Sequence, residues 1–457
     1  MKTNTYIYLS NPTKLRNIAK YCETLRTIAN HLESFIIIKN YYKLLYIFMI
    51  EYISYILFLI VIIVFIIYIY IRIKYGFWMI QPVFHIYNLN YILNPPGIIC
   101  EMLPDKNKYT NFKDIHTIYF SDMEPFQSSK YTRFIQTNYL QNKDNYFSPK
   151  FPNISSYFIG HNEKTFISFY YKTTHLLDMN KHTTIPNHEI IGTITSRPLN
   201  IFMNNDQNER KKRKNEKNEP TFKAYYVDYL CVHKEERKKG IAPQLIQTHH
   251  YNQRHKNKNI VVSLFKREDE LTGIVPLCVY STYGFSANCW TKPNDLSSEY
   301  TILEINPQNF RFIYNFIREN QMMFDIVVYP DISNMIELIK TKNIFIYALL
   351  CDDEIICCYF YRKTCVFVDK GLEVLSCFAS ICNDEQSIFI QGFKISFWKI
   401  ANEHYFGFCA IENISHNDII IDNIKEKTEP LVVSPTAYFF YNFAYPTFNH
   451  RKVLMIN

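Results

Sequence analysis

The chain has 457 residues, 50 Lys and Arg against 42 Asp and Glu, and a formal charge of +8. That length can hold two domains plus an appendage, and the charge suits an anionic ligand, a membrane surface or a nucleic acid. The 12 cysteines show no C-x-x-C pair and no Cys/His zinc spacing, which excludes a metal-ligand signature and reads as reduced, buried thiols.

Residues 1–51 mix charged and apolar positions, with an amphipathic helical pattern around residues 15–38. No short apolar core precedes a small-residue cleavage site, so no cleaved signal peptide is expected. Residues 52–71, YISYILFLIVIIVFIIYIYI, carry no charge and are closed by Arg72 and Lys74. Such a run reads as a single transmembrane helix. Lys39 and Lys43 on one flank balance Arg72 and Lys74 on the other, so charge alone leaves the orientation open.

Next comes YGFWMIQPV at 75–83, a turn at Pro95, Pro96 and Gly97, and loops with short helices over 103–155. Strands are expected at 166–171 and 189–202. Residues 204–219 contain KKRK at 211–214, which reads as a solvated loop between strands or as a nuclear-localisation signal.

Residues 224–246, AYYVDYLCVHKEERKKGIAPQLI, organise the middle of the chain. An aromatic and β-branched strand leads through a charged turn into a helix from Ile241 to about Arg254. Arg237, Gly240 and Ala242 give R-x-x-G-x-A, a spacing that can hold a pyrophosphate. Glycine admits close backbone approach, and the first helical N–H groups meet the anion. A strand at 260–265 and a turn, strand and loop over 271–285 follow. The pattern then begins again: strand 300–305, helices 310–318 and 333–340, strands 344–351, 354–361 and 374–381, helix 390–403 and strand 405–411. This reads as two related α+β domains joined near 292–299.

Several separated pieces, YGFWMIQPV, YLCVHKEERKKGIAPQLI, IVPLCVYSTYGF, YFGFCAIEN and YFFYNFAYPTFNHRKVLMIN, occur in one fixed order. Together they resemble the N-myristoyltransferases from residue 75 to the C-terminus. The resemblance implies an α+β chain of two tandem GNAT-like domains with pseudo-two-fold symmetry, preceded by the transmembrane helix. It divides the sequence into 1–51, the span 52–71, a myristoyl-CoA-binding domain at 72–295 and a peptide-binding domain at 296–457. It implies transfer of a myristoyl group from myristoyl-CoA, a cosubstrate rather than a resident cofactor, to an N-terminal glycine amine. A membrane-anchored monomer facing the cytoplasm, without nucleic acid or metal, is the matching expectation. Another acyl-CoA N-acyltransferase, or a non-catalytic myristoyl- or lipid-binding relative, are the other readings.

The same resemblance distributes roles. It implies that the backbone N–H groups of Tyr229 and Leu230 form an oxyanion hole and that the C-terminal carboxylate, on Asn457, is the base. The apolar tail before Asn457 suits burial. Asp228 stands where the family carries an asparagine near the amine, and His233 matches a histidine of the turn. Phe77, Trp78 and Gln81, then Cys231, Val232, Arg237, Lys238, Lys239, Gly240, Ile241 and Ala242, match cofactor contacts. Tyr280 aligns with a groove tyrosine. Cys409 replaces a groove asparagine, and the family's Y-T-A-G segment is lost near 265–268. These departures leave acyl-CoA use expected and peptide preference open.

Overall fold

The computed structural model describes residues 12–74, 76–140, 145–178, 183–204, 221–268, 273–287, 290–368 and 371–457. They divide into two units, Met1–Ile80 and Gln81–Asn457. The KKRK motif at 211–214 lies outside the described residues.

In the first unit, helix α1 (Pro12–Lys74) runs for 63 residues, roughly 95 Å at the helical rise per residue. No Gly or Pro interrupts it, and its one proline sits at the first position, where the missing N–H costs nothing. The expected amphipathic pattern at 15–38 and the uncharged span at 52–71 therefore merge into one rod. The apolar side chains along it are exposed, Phe58, Phe65 and Ile73 among them, and the helix is long and apolar enough to cross a membrane.

The second unit opens with α2 (Leu89–Leu93), β1 (Gly97–Ile98), β2 (Ile115–Tyr119), α3 (Pro125–Asn138), β3 (Asn145–Phe147) and α4 (Phe151–Ser155). Next come β4 (Phe166–Asp178), β5 (Thr183–Met203), β6 (Thr221–Val232), α5 (Ile241–Lys256), β7 (Val262–Glu268) and β8 (Cys278–Ser286). The later half holds β9 (Tyr300–Glu304), α6 (Phe310–Asn320), β10 (Ile326–Tyr329), α7 (Ile332–Lys340), β11 (Ile344–Cys351), β12 (Glu354–Val368) and β13 (Leu372–Cys382). It closes with α8 (Gln386–His404), β14 (Phe406–Glu412), α9 (Asn417–Lys425), β15 (Val432–Tyr441), β16 (Phe443–Ala444) and β17 (Val453–Met455).

One sheet runs through both halves in the order β17-β10-β5-β6-β7-β15-β8-β14-β13-β12-β11-β9. The halves repeat a plan. β4, β5 and β6 are antiparallel, and α5 then crosses over to lay β7 parallel to β6. β11, β12 and β13 are likewise antiparallel, and α8 lays β14 parallel to β13. The strand after each parallel pair changes sides: β8 pairs with β14, β15 pairs with β7, and β8 and β15 pair with each other. The halves have exchanged a strand, so one apolar core draws on both, with Tyr131 and Phe202 packed in the same cluster as Phe360 and Leu454.

Both halves also break at the same place. Thr193 faces Cys231 and Thr195 faces Asp228, so β6 carries one residue too many at Tyr229 and Leu230. Tyr229 takes up the extra length with φ at +48, the left-handed region that a side chain enters only when its surroundings hold it there. In β13 the register slips around Phe378, between Cys377 and Ala379. In each half the parallel pairing stops just before the bulge, at Val227 opposite Phe265 and at Cys377 opposite Ile411.

Candidate active site

Beyond Val227 the two parallel strands part: β6 continues to Val232 and β7 to Glu268, where β7 is held by β15 on its other side. A bulged strand beside such a cleft presents main-chain N–H groups that a regular ladder would consume. The bulge is pinned by side chains. Thr195 Oγ1 donates to the Asp228 carbonyl at 2.9 Å and Thr193 Oγ1 to the Tyr229 carbonyl at 3.2 Å. The Tyr229 N–H is donated to Asp228 Oδ1 at 2.8 Å. The Tyr229 ring is boxed by Tyr139, Phe158 and Tyr131, with centroids at 5.7, 6.3 and 6.5 Å. Leu230 is half-exposed beside it.

At the end of β6 the basic turn meets α5. Gly240 caps the helix at φ 77 and ψ 13, and a Cβ built there would meet nothing within 4 Å. That is a left-handed residue facing open space at a helix N-terminus, the geometry that glycine allows at least cost. Ile241 anchors the helix start in a cluster with Ile191, Ile194 and Leu245. The cations of the turn divide their work. Arg237 Nη2 donates to the Asn138 carbonyl at 2.7 Å and Nε to the Val232 carbonyl at 3.3 Å, tying β6 to the end of α3. Lys239 and Lys172 both hold Glu236, each at 2.7 Å. Lys238, exposed at φ 65, has no ion pair among the described residues. His233 Nδ1 accepts from the Glu235 N–H at 3.3 Å and fixes the turn. Cys231 is buried in the strand, and burial pushes its thiol up to about 12, so it is inert as a nucleophile.

The opposite end of the chain supplies a buried charged cluster. β17 lies parallel to β10, and Ile456 continues the ladder by donating its N–H to the Val328 carbonyl at 2.7 Å. Val453 to Ile456 are all buried, and Asn457 is 1% exposed. Arg362 Nη1 donates to the Asn457 main-chain oxygen at 3.2 Å, while Nη2 donates to Glu412 Oε1 at 2.9 Å. Glu412 also takes Lys266 Nζ at 3.2 Å on Oε1 and the Tyr280 hydroxyl on Oε2. Burial alone would raise the Glu412 carboxyl; Lys266, Arg362 and Tyr280 outweigh it and hold the group below the usual carboxylate range.

The bulge and this cluster face one another. The Tyr157 hydroxyl is pushed up to about 12 by burial, with Arg362 and Arg197 opposing the rise and Asp228 adding to it. Tyr226, also raised by burial, senses Asp228, Arg197, Arg362 and Glu412 together.

Of the residues singled out in the sequence, Asp228, Tyr280 and Asn457 thus connect through Tyr157, Tyr226, Arg362 and Glu412 into one buried charged region, with Tyr229 beside Asp228 and Leu230 exposed. Phe77 and Trp78 belong to the first unit. Gln81 begins the second, buried, with Oε1 accepting from the Tyr441 hydroxyl at 2.6 Å. Cys409 lies fully buried in β14 opposite Phe285, part of the later half's core, and burial raises its thiol well above the ordinary value. Sequence reasoning missed Arg362, Glu412 as an anion and Arg197. A charged residue inside an otherwise apolar strand was the available signal for both arginines. Among the described residues no group of His, Cys, Asp and Glu could hold a metal ion.

Tandem halves that exchange a strand, each with a crossover helix and a bulged, splayed parallel pair, define an α+β architecture of two related repeats. No family model and no curated protein matches the chain in sequence. Its fold is that of N-myristoyltransferase. The Saccharomyces cerevisiae enzyme with bound myristoyl-CoA superposes with a TM-score of 0.61 at 12% identity, covering 82% of this chain and 94% of that one. A second structure of that enzyme with myristoyl-CoA gives 0.62, with 89% of its chain covered, also at 12% identity and 82% of this chain. A third, with inhibitors as well, gives 0.60 and 91%, again at 12% identity and 82% of this chain.

Proposed function

We propose that the chain transfers a myristoyl group from myristoyl-CoA to the N-terminal glycine amine of a protein. The observation that carries this reading is the burial of Asn457 beside Arg362, on the side of the sheet where β6 bulges and parts from β7. Acyl transfer to an amine needs donors for the thioester oxygen, a base for the ammonium, and held reactants. The N–H groups of Tyr229 and Leu230 are the donors; the first is released when Asp228 turns from it to the incoming ammonium. The Asn457 carboxylate takes the proton, and Arg362 orients it. The Gly240 turn and the α5 N-terminus receive the pyrophosphate, with the exposed Lys238 adding positive charge beside it. The loop before α8 reads NDEQ, with Asp384 and Glu385, so the later half repels phosphates and serves the acceptor. Residues 72–295 would then bind the cosubstrate and 296–457 most of the peptide. Helix α1 is a single-pass membrane anchor, with the enzyme on the cytoplasmic side, where acyl-CoA and newly made N-termini occur.

The test is the detergent-solubilised full chain with labelled myristoyl-CoA and a peptide beginning with glycine, against the same peptide N-acetylated. Label on the first and not the second is expected. Equal labelling moves the acceptor elsewhere, and saturable myristoyl-CoA binding without any labelling makes the chain a lipid binder. Comparing acyl lengths separates a myristoyltransferase from another acyl-CoA N-acyltransferase.

A further inference from the structure

Arg197 sits in β5, 2% exposed, and neither its Nε nor its Nη1 has an acceptor. The faces of Tyr226 and Tyr157 lie 5.0 and 5.1 Å from its guanidinium carbon. Contact with two rings recovers only part of the hydration a guanidinium loses on burial. The comparison within the molecule is direct. Arg254, equally buried, donates to the carbonyls of Lys258 and Glu101. Arg362 has Asn457 and Glu412. Among the described residues Arg197 has no carboxylate of its own.

The direction of the side chain follows from register. Arg197 is opposite Tyr226, and Thr195 is opposite Asp228. Ser196 and Tyr225, one residue along on each strand, point the other way, to His249 and Asn257 of the α5 layer. Arg197 therefore shares a sheet face with Asp228, two residues away or roughly 7 Å. Arg197 and Arg362 both act electrostatically on the Tyr157 hydroxyl, opposing the rise that burial gives it. An acceptor whose amine lies between Asp228 and Asn457 has its next atoms within reach of Arg197.

We infer that Arg197 receives a carboxylate carried by the acceptor close to its N-terminal amine, so that this site selects acidic N-termini. The inference rests on the reading of the region as an acceptor site. Chemically it makes the arriving group a neutral ammonium–carboxylate pair, which a cluster already holding Lys266, Arg362 and Arg197 accommodates better than an added lone cation.

Peptides starting Gly-Asp or Gly-x-Asp, with Asn counterparts, separate the possibilities without any variant. Equilibrium binding to the solubilised full chain, read by anisotropy of a C-terminal label, should favour an acidic peptide by about 10- to 100-fold over its amide isostere. Arg197→Met should collapse that ratio, and Arg197→Lys should keep part of it. Equal binding of acid and amide, absence of binding, or a ratio that survives Arg197→Met overturns the inference. Because binding is read apart from acylation, an acid preference without transfer leaves the inference standing and removes the proposed activity. Transfer without acid preference does the reverse.

Discussion

Arg362 joins Asn457 to Glu412, one nitrogen on each, at 3.2 and 2.9 Å. The first acceptor lies just beyond β17 and the second ends β14, seven strands along in the sheet order, so this guanidinium ties the end of the chain directly to the later half of the sheet. Replacing Glu412 by Ala removes the buried anion that Lys266 and Arg362 share, leaving Arg362 with Asn457 and Lys266 with Glu268 at 3.6 Å. A loss of about 3–5 kcal/mol in urea unfolding is expected. A loss below 1 kcal/mol would mean that water already shares the charge.

The carboxylate of Asn457 is predicted to be needed for chemistry and dispensable for cosubstrate binding. Ligating a C-terminally amidated tail segment, or adding two residues, should lower the transfer rate by about 10²–10⁴ while the myristoyl-CoA affinity, measured by calorimetry, stays near that of the native chain. Full activity in the extended protein would move the base elsewhere.

Asp228 is the obvious second place for it. Asp228→Asn keeps an oxygen for the Tyr229 N–H, so the bulge should persist and kcat should stay within about tenfold if Asn457 is the base. A collapse of kcat at unchanged KM would make Asp228 the proton acceptor.

Gly240 offers a separation of strain from binding. With open space around its Cβ, Gly240→Val should cost only the left-handed backbone penalty of about 1–2 kcal/mol in urea unfolding. Its side chain would project into the space proposed for the pyrophosphate, so myristoyl-CoA affinity should fall by more than the stability loss explains. Unchanged affinity would remove the turn from the cofactor site.

His249 and His250 predict an acid-sensitive fold. His249 bridges Ser168 and Ser196 at 2.8 and 2.9 Å inside the α5 layer. Burial lowers both imidazoles to about 3. Their folded values lie below the unfolded one near 6.5, so the unfolded chain takes up protons first as the pH drops. The neutral-state stability is whole above pH 6.5 and declines toward pH 3, by about 2–3 kcal/mol per histidine at pH 4.5. Urea midpoints at pH 7.5, 5.5 and 4.5 measure it; His249→Asn should flatten the slope, and a flat native profile would contradict the burial.

Much of the fold was legible locally. β11 spans the expected residues 344–351, and α5, β9, α7 and β14 differ from expectation by one or two residues at an end. Apolar periodicity sets these elements, and it acts within a dozen residues. β12 runs on to Val368, past the expected residue 361, because pairing with β3 and β13 carries Arg362 and Lys363 along in the ladder. The exchange of β8 and β15 left no local mark, since each strand's partners lie far along the sequence. The site followed the same division. Asp228, Tyr229 and the glycine turn sit inside one recognisable stretch. Arg362, Lys266 and Glu412 acquire meaning only when three distant strands meet.

The exchanged strands also set how the molecule can move. Two halves joined by a linker open and close about a hinge, but here β8 and β15 are stitched across the midline and each is the other half's edge partner. Parting the halves would break the β7–β15, β15–β8 and β8–β14 ladders together. Under the proposed activity, substrates would therefore enter at the rims of the cleft, over a floor that these ladders hold together. Cut between β8 and β9, neither fragment would keep a complete sheet; only the two together could rebuild it.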